Sequence, residues 1–230
     1  MRIIAGSLGG RRLHAKVASG TRPTSDRVRE ALGSLLAARG AFAGARVLDL
    51  FAGTGAFGLE AFSRGAEHVL AVDNTPSALR CIEQNARELG VENHVARRKL
   101  DLLSRPSRVI EGLSALGGGP FSLVFADPPY RDVARCLPLL EALAGSPLVA
   151  PDALFVLEHA DAGALPLPAG LVAAGHYVYG DSAITLLARP NQMGEGETYD
   201  MTSETASVQS RPSAAIYAGS FDPITNGHVA

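Results

Sequence analysis

Two short runs in this chain carry residue types that can do chemistry. Gly53-Thr54-Gly55-Ala56-Phe57-Gly58 has the spacing G-x-G-x-x-G between an apolar run and a helical stretch. Glycine permits a sharp turn there and lets backbone approach a ligand closely. Asp49 ends the preceding run, Phe51 leads into the loop, and Asp73 ends the next apolar run. A carboxylate at that place can accept ribose hydroxyls of an adenosine. The spacing suits S-adenosylmethionine or a dinucleotide, and the glycine loop alone does not separate them.

The second run, Asp127-Pro128-Pro129-Tyr130, does. An exocyclic amine on a base is a poor nucleophile because its lone pair is delocalised into the ring. Two acceptors, Asp127 and the Pro128 carbonyl, would grip its hydrogens, favour pyramidal nitrogen and stabilise the positive charge that develops during attack on a methyl group. Pro128 and Pro129 stiffen the loop. Tyr130 offers a ring on which an unstacked base can lie. This chemistry needs no metal and no covalent intermediate. Much of the acceleration would come from alignment.

The elements that must position these runs follow from periodicity. Strands are expected at 46–51, 68–73, 94–99, 121–127 and 153–159, with helices at about 57–64, 76–89, 104–115 and 132–144. Thr75-Pro76 and Gly90 are start and stop signals for one helix. Near-continuous apolar strands alternating with helices predict a parallel sheet covered on both faces. The run after His176 reads as two strands joined at Gly180-Asp181. Ahead of the sheet, short strands at 2–4 and 11–13 flank a Gly-rich turn. A helix carrying Val28, Leu32, Leu35 and Leu36 follows and stops at Gly40.

Composition narrows the class. The chain has 230 residues, 47% of them hydrophobic, and a net charge of −2. Residues 1–39 nevertheless hold eight Lys/Arg against two acids, which suits a polyanionic partner. Two cysteines, Cys81 and Cys136, cannot build a disulfide framework or a Cys-rich metal site. His68, His94, His159 and His176 lack ligand spacing and read as core or surface residues. No apolar run approaches ~20 residues. The expectation is a cytoplasmic monomer with no metal and no membrane contact.

The motifs around 49–66 and 127–130 resemble those of class I amino-methyltransferases. The N-terminal pair RIIAGSLGGRRL and TRPTSDRVREAL narrows the resemblance to the bacterial 16S ribosomal RNA guanine-N2 methyltransferases over residues 2–189. That resemblance implies an α/β, Rossmann-like fold: a mostly parallel seven-stranded sheet, last strand antiparallel, with helices on both faces and a small N-terminal extension. It implies S-adenosyl-L-methionine as cofactor and small-subunit ribosomal RNA, free or in an assembling particle, as partner. Carried over, Asp49, Phe51, Gly53, Gly55, Asp73 and Asp101 would hold the cofactor. Asp127, Pro128, Pro129 and Tyr130 would hold the target base. Arg22, Thr24, Asp26 and Arg29 would shape the substrate side. Gly33 departs from the family's large apolar residue and is expected to loosen the N-terminal helix. A DNA amino-methyltransferase shares the acceptor loop but usually carries a recognition domain for which there is no room here.

The implied organisation is an N-terminal basic extension (1–45), a methyltransferase domain (46–190), a disordered linker (191–212) and a stub (213–230). The linker holds four acids, one Arg and almost no large apolar residue. The stub resembles the start of phosphopantetheine adenylyltransferase, with Ser220 and His228 in its GSFDPITNGH motif. It is too short for that activity, which leaves a bifunctional fusion with a truncated second half as the alternative.

Overall fold

The computed structural model describes residues 1–14, 26–117, 119–161 and 165–190. Arg22, Thr24, the expected linker and the stub lie outside the described residues. Seven strands form one sheet: β1 (Arg46–Leu50), β2 (His68–Asp73), β3 (Val95–Lys99), β4 (Phe121–Ala126), β5 (Val149–Ala160), β6 (Val172–Tyr179) and β7 (Ser182–Ala188). Their order is β3-β2-β1-β4-β5-β7-β6. β1 to β5 pair in parallel, and β7 runs antiparallel between β5 and β6. The hairpin turn at Gly180, with φ 65°, lets β7 fold back into that gap. This is the expected sheet with its last strand antiparallel. Chain order reverses between β1 and β4, the crevice where ligands of open α/β sheets bind.

Among the described residues five helices cover the sheet: α1 (Asp26–Ala38), α2 (Ala56–Ser63), α3 (Pro76–Leu89), α4 (Pro106–Ser114) and α5 (Val133–Ala144). α3 has the bounds its signals predict. The Thr75 hydroxyl accepts from the Ala78 amide, Pro76 opens the helix, and Gly90 closes it in the left-handed region. One core lies under α4 and α5, around Leu50, Leu113, Phe121, Leu139 and Phe155. The other packs α1, α2 and α3 on the opposite face and includes Ile3, Leu36, Leu59, Ile82 and Leu123. Ile3, Leu13 and α1 therefore share the core of the sheet.

Three expectations change. The N-terminal strands reduce to a single bridge, Arg2 with Arg12, flanked by backbone bonds from Ile3 to Arg11, Gly10 to Ile3 and Leu13 to Met1. The Ile4 and Ala5 amides donate to Glu60 at 2.7 and 3.1 Å. β5 begins at Val149, earlier than its apolar run, with an irregularity in its pairing to β4. Gly33 does not loosen α1, which runs unbroken. A Cβ there would lie 2.7 Å from the Arg64 guanidinium, so the glycine makes room for that side chain. Arg64 in turn is an i,i+4 partner of buried Glu60 at 2.7 Å.

Candidate functional site

The glycine loop leaves β1 and opens α2, and each of its glycines has a distinct reason to be there. Gly53 and Gly55 have φ of 55° and 76°. A side chain at Gly55 would also press on Ile82. Gly58 has ordinary dihedrals, but a Cβ would lie 2.6 Å from Val69 and 3.0 Å from Asp49 Oδ2. Close helix–sheet approach excludes it. Phe51 also sits at φ 60°, the left-handed region for a bulky residue, at the turn where β1 becomes the loop.

Asp49 lies beneath this loop, 1% exposed. Its Oδ2 accepts the Gly58 amide at 3.0 Å. Its Oδ1 is buried with no hydrogen-bond partner among the described residues. Burial pushes its carboxyl up to about 7; the Gly58 amide works against this and the Asp73 charge adds to it. A buried acceptor left open at the crevice suits a cationic ligand group.

Asp73, at the end of β2, accepts the Gly53 amide at 3.0 Å through one oxygen. The other takes the Thr75 amide and hydroxyl, both at 2.8 Å. A carboxylate has about four lone-pair sites, so one remains for a ribose hydroxyl. Asp101 is exposed and caps a turn through the Leu103 amide at 3.1 Å. With Asn74, Lys99, Ser104 and Arg108 it lines an open cleft of about 530 Å³ beyond β2 and β3.

The acceptor loop leaves β4 beside the glycine loop. The Asp127 amide donates to the Leu50 carbonyl at 3.4 Å, just before Phe51. The strand pairing Ala126–Leu157 puts Glu158, 3% exposed, next to Asp127 across β4 and β5. Burial, then Glu158, then Asp49 raise the Asp127 carboxyl well above the usual carboxylate range. Three acids from three adjacent strands thus crowd one end of the crevice. Pro128 is buried, while Pro129 and Tyr130 are exposed. Pro129 leads into a short 3-10 turn, Tyr130–Asp132. The Tyr130 ring is 43% exposed, with its hydroxyl 2.5 Å from Ser182 Oγ on β7.

The structure brings Asp49, Phe51, Gly53, Gly55, Asp73 and the 127–130 loop together, with Asp101 at the rim. The N-terminal signature divides. Asp26 opens α1. Arg29, expected to help shape the substrate side, is buried and donates to the Arg2 carbonyl at 3.0 Å. It braces the N-terminal segment from inside. His159 is buried, bonded through Nε2 to Thr185 at 2.8 Å, and both cysteines are buried.

Several supporting residues escaped sequence reasoning. Glu60 and Ser63 on α2 receive the N-terminal segment. The Ser63 hydroxyl donates to the Ala5 carbonyl at 2.6 Å and accepts the Leu8 amide at 2.9 Å. Asn85 on α3 is 1% exposed. The available signal was its spacing from Cys81, Ile82 and Leu89, which puts a polar side chain on the apolar face of that helix.

Comparison with known proteins agrees with this geometry. A Bacillus subtilis protein named "Putative rRNA methyltransferase YlbH" is 33% identical over 187 residues, covering 81% of this chain and 97% of that one. Ribosomal RNA small subunit methyltransferase D of Escherichia coli K12 is 33% identical over 204 residues, 86% of this chain and 93% of its own. The solved structure of a hypothetical protein from Thermus thermophilus superposes with a TM-score of 0.66 at 33% identity. The match covers 82% of this chain and 99% of that one. With a Rossmann-like methyltransferase fold, and residues 1–188 matching the family described as conserved hypothetical protein 95, the chain belongs to that family of S-adenosylmethionine-dependent methyltransferases.

Proposed function

We propose that this protein methylates the exocyclic N2 amine of a guanine in small-subunit ribosomal RNA. One observation carries the reading: the desolvated Asp127 carboxylate, followed by two prolines and an exposed tyrosine, leaves the sheet beside the glycine loop. The names of the similar proteins, which include a small-subunit ribosomal RNA methyltransferase, support an RNA substrate.

S-adenosylmethionine supplies an electrophilic methyl group on a sulfonium. Asp49, Phe51, Gly53, Gly55, Asp73 and Asp101 are the residues that would hold it, and the open oxygen of Asp49 fits its positive charge. Asp127 Oδ and the Pro128 carbonyl accept the two amine hydrogens and direct the nitrogen lone pair. As positive charge grows on that nitrogen, Asp127 stabilises it and then takes the departing proton. Burial raises its carboxyl, so Asp127 acts in this way in its ionised form, whose greater basicity favours taking the proton. Tyr130, tethered by Ser182, presents its ring to the flipped base. Residues 1–45 form the substrate side, with exposed Arg11 and Arg12 meeting phosphate. Residues 46–190 form the methyltransferase domain, 191–212 a linker and 213–230 a stub outside the catalytic unit. The working form is a cytoplasmic monomer; among the described residues no helix is long and apolar enough to cross a membrane.

The test is transfer of labelled methyl from S-adenosylmethionine to unmodified small-subunit RNA or particles, with DNA and large-subunit RNA in parallel. Label in N2-methylguanosine of small-subunit RNA alone is expected. Label in DNA, or in another base, overturns the assignment.

A further inference from the structure

Asn85 contacts two segments that the chemistry uses, which are also joined by the Thr54 hydroxyl on Met1 Sδ at 3.5 Å. Its Oδ1 accepts the His14 amide at 2.7 Å. Its Nδ2 donates to the His14 carbonyl at 3.2 Å and to the Thr54 carbonyl at 3.0 Å. One buried side-chain amide therefore mimics a strand partner for residue 14 while holding the middle of the Gly53–Gly55 turn.

The two ends of this clamp face different ligands. Thr54 belongs to the glycine loop, which would hold the cofactor. His14 ends the N-terminal segment that carries exposed Arg11 and Arg12. The outer side of that segment is held separately: His14 Nε2 meets Glu88 at 2.8 Å, and Arg11 donates to the Glu88 carbonyl at 2.9 Å. Neither of those contacts reaches the glycine loop.

We infer that Asn85 is a positioning residue that couples cofactor binding to docking of the RNA-facing N-terminal segment. A shift of the Thr54 carbonyl moves the donor shared with His14, so ordering one segment favours order in the other. Linkage makes the effect reciprocal: RNA tightens cofactor binding by the factor by which cofactor tightens RNA binding. The RNA half of this inference rests on the proposed function. The link between cofactor and His14 rests only on the glycine loop holding the cofactor.

The experiment uses the full chain, S-adenosylhomocysteine and unmodified small-subunit ribosomal RNA. Calorimetry gives the S-adenosylhomocysteine Kd with and without RNA, for wild type, Asn85→Ala and His14→Ala. In wild type RNA should tighten binding by roughly 5- to 150-fold, the usual range of coupled sites. The ratio should fall to about one in Asn85→Ala. It should survive in His14→Ala, which removes the Glu88 contact and keeps the backbone clamp. A merely structural asparagine would lower thermal stability and leave the ratio intact, which overturns the inference. Loss of the ratio in both variants also overturns it. Hydrogen exchange on wild type decides the matter if Asn85→Ala does not fold. S-adenosylhomocysteine alone should slow exchange of the His14 amide, and no change there refutes the coupling. If RNA fails to bind wild type, the proposed substrate is wrong, while the exchange result still tests the clamp.

Discussion

Asp49→Asn tests the electrostatics of the crevice most directly. The Asp49 carboxyl is raised from 3.8 to about 7, chiefly by burial, because its charged form is fully desolvated with one oxygen unpartnered. Each pKa unit corresponds to 1.36 kcal/mol between protonation states, so holding Asp49 ionised in the ligand-free protein costs about 4 kcal/mol. The folded state binds this proton more tightly than the unfolded state. The resulting stability is present below pH 3.8 and is lost as pH rises through about 7. Asparagine keeps the shape and an oxygen for the Gly58 amide. It leaves an unpaired amide in place of the open oxygen, at about 1–3 kcal/mol. At pH 8 the variant without ligand should therefore be about 1–3 kcal/mol more stable than wild type. At pH 5, where wild-type Asp49 is neutral, that gain should vanish or reverse. Denaturant unfolding at both pH values measures this. Cofactor affinity, read by calorimetry, should rise through pH 7 in wild type and be weaker and flatter in the variant. Equal stability differences at pH 5 and pH 8 would refute the reasoning, since Asp49 would then not titrate in that window.

Three other perturbations follow from the same contacts. Asp127→Asn should keep S-adenosylhomocysteine binding and lose roughly 10²- to 10⁴-fold in kcat, because the amide oxygen still accepts a hydrogen bond but neither carries negative charge nor takes the amine proton; single-turnover methyl transfer reads it. Glu60→Ala leaves the Ile4 and Ala5 amides and the largely buried Arg64 side chain without their carboxylate and should cost about 3–5 kcal/mol in denaturant unfolding. Gly33→Leu should destabilise by about 1–3 kcal/mol, since its side chain would displace Arg64 from Glu60; an unchanged melting temperature would contradict the crowding argument.

The parts of this protein that were legible in sequence share a property: their signal is local. The sheet showed in apolar runs, and α3 in Thr75-Pro76 and Gly90. The crevice showed in the spacing of glycines and in Asp127 with its prolines. Glu60, Ser63 and Asn85 were not read because their partners in the N-terminal segment lie 55 to 71 residues away in the chain. Inside a helical pattern such residues look like ordinary polar positions. The burial of Arg29 was not legible either, because a motif resemblance places a residue in the chain and does not reveal what covers it.

Gly33 shows how a local departure acquires meaning only from its distant neighbour. Read in sequence, a glycine within α1 weakens a helix by roughly 1 kcal/mol relative to alanine. Read in the fold, it vacates the space filled by Arg64, which neutralises Glu60, which in turn holds Ile4 and Ala5. A larger residue at position 33 would push the Arg64 guanidinium aside, and the Glu60 carboxylate would then need a different partner. The glycine, the arginine and the glutamate are one packing solution, and through it the N-terminal segment sits against the helix that the cofactor loop begins.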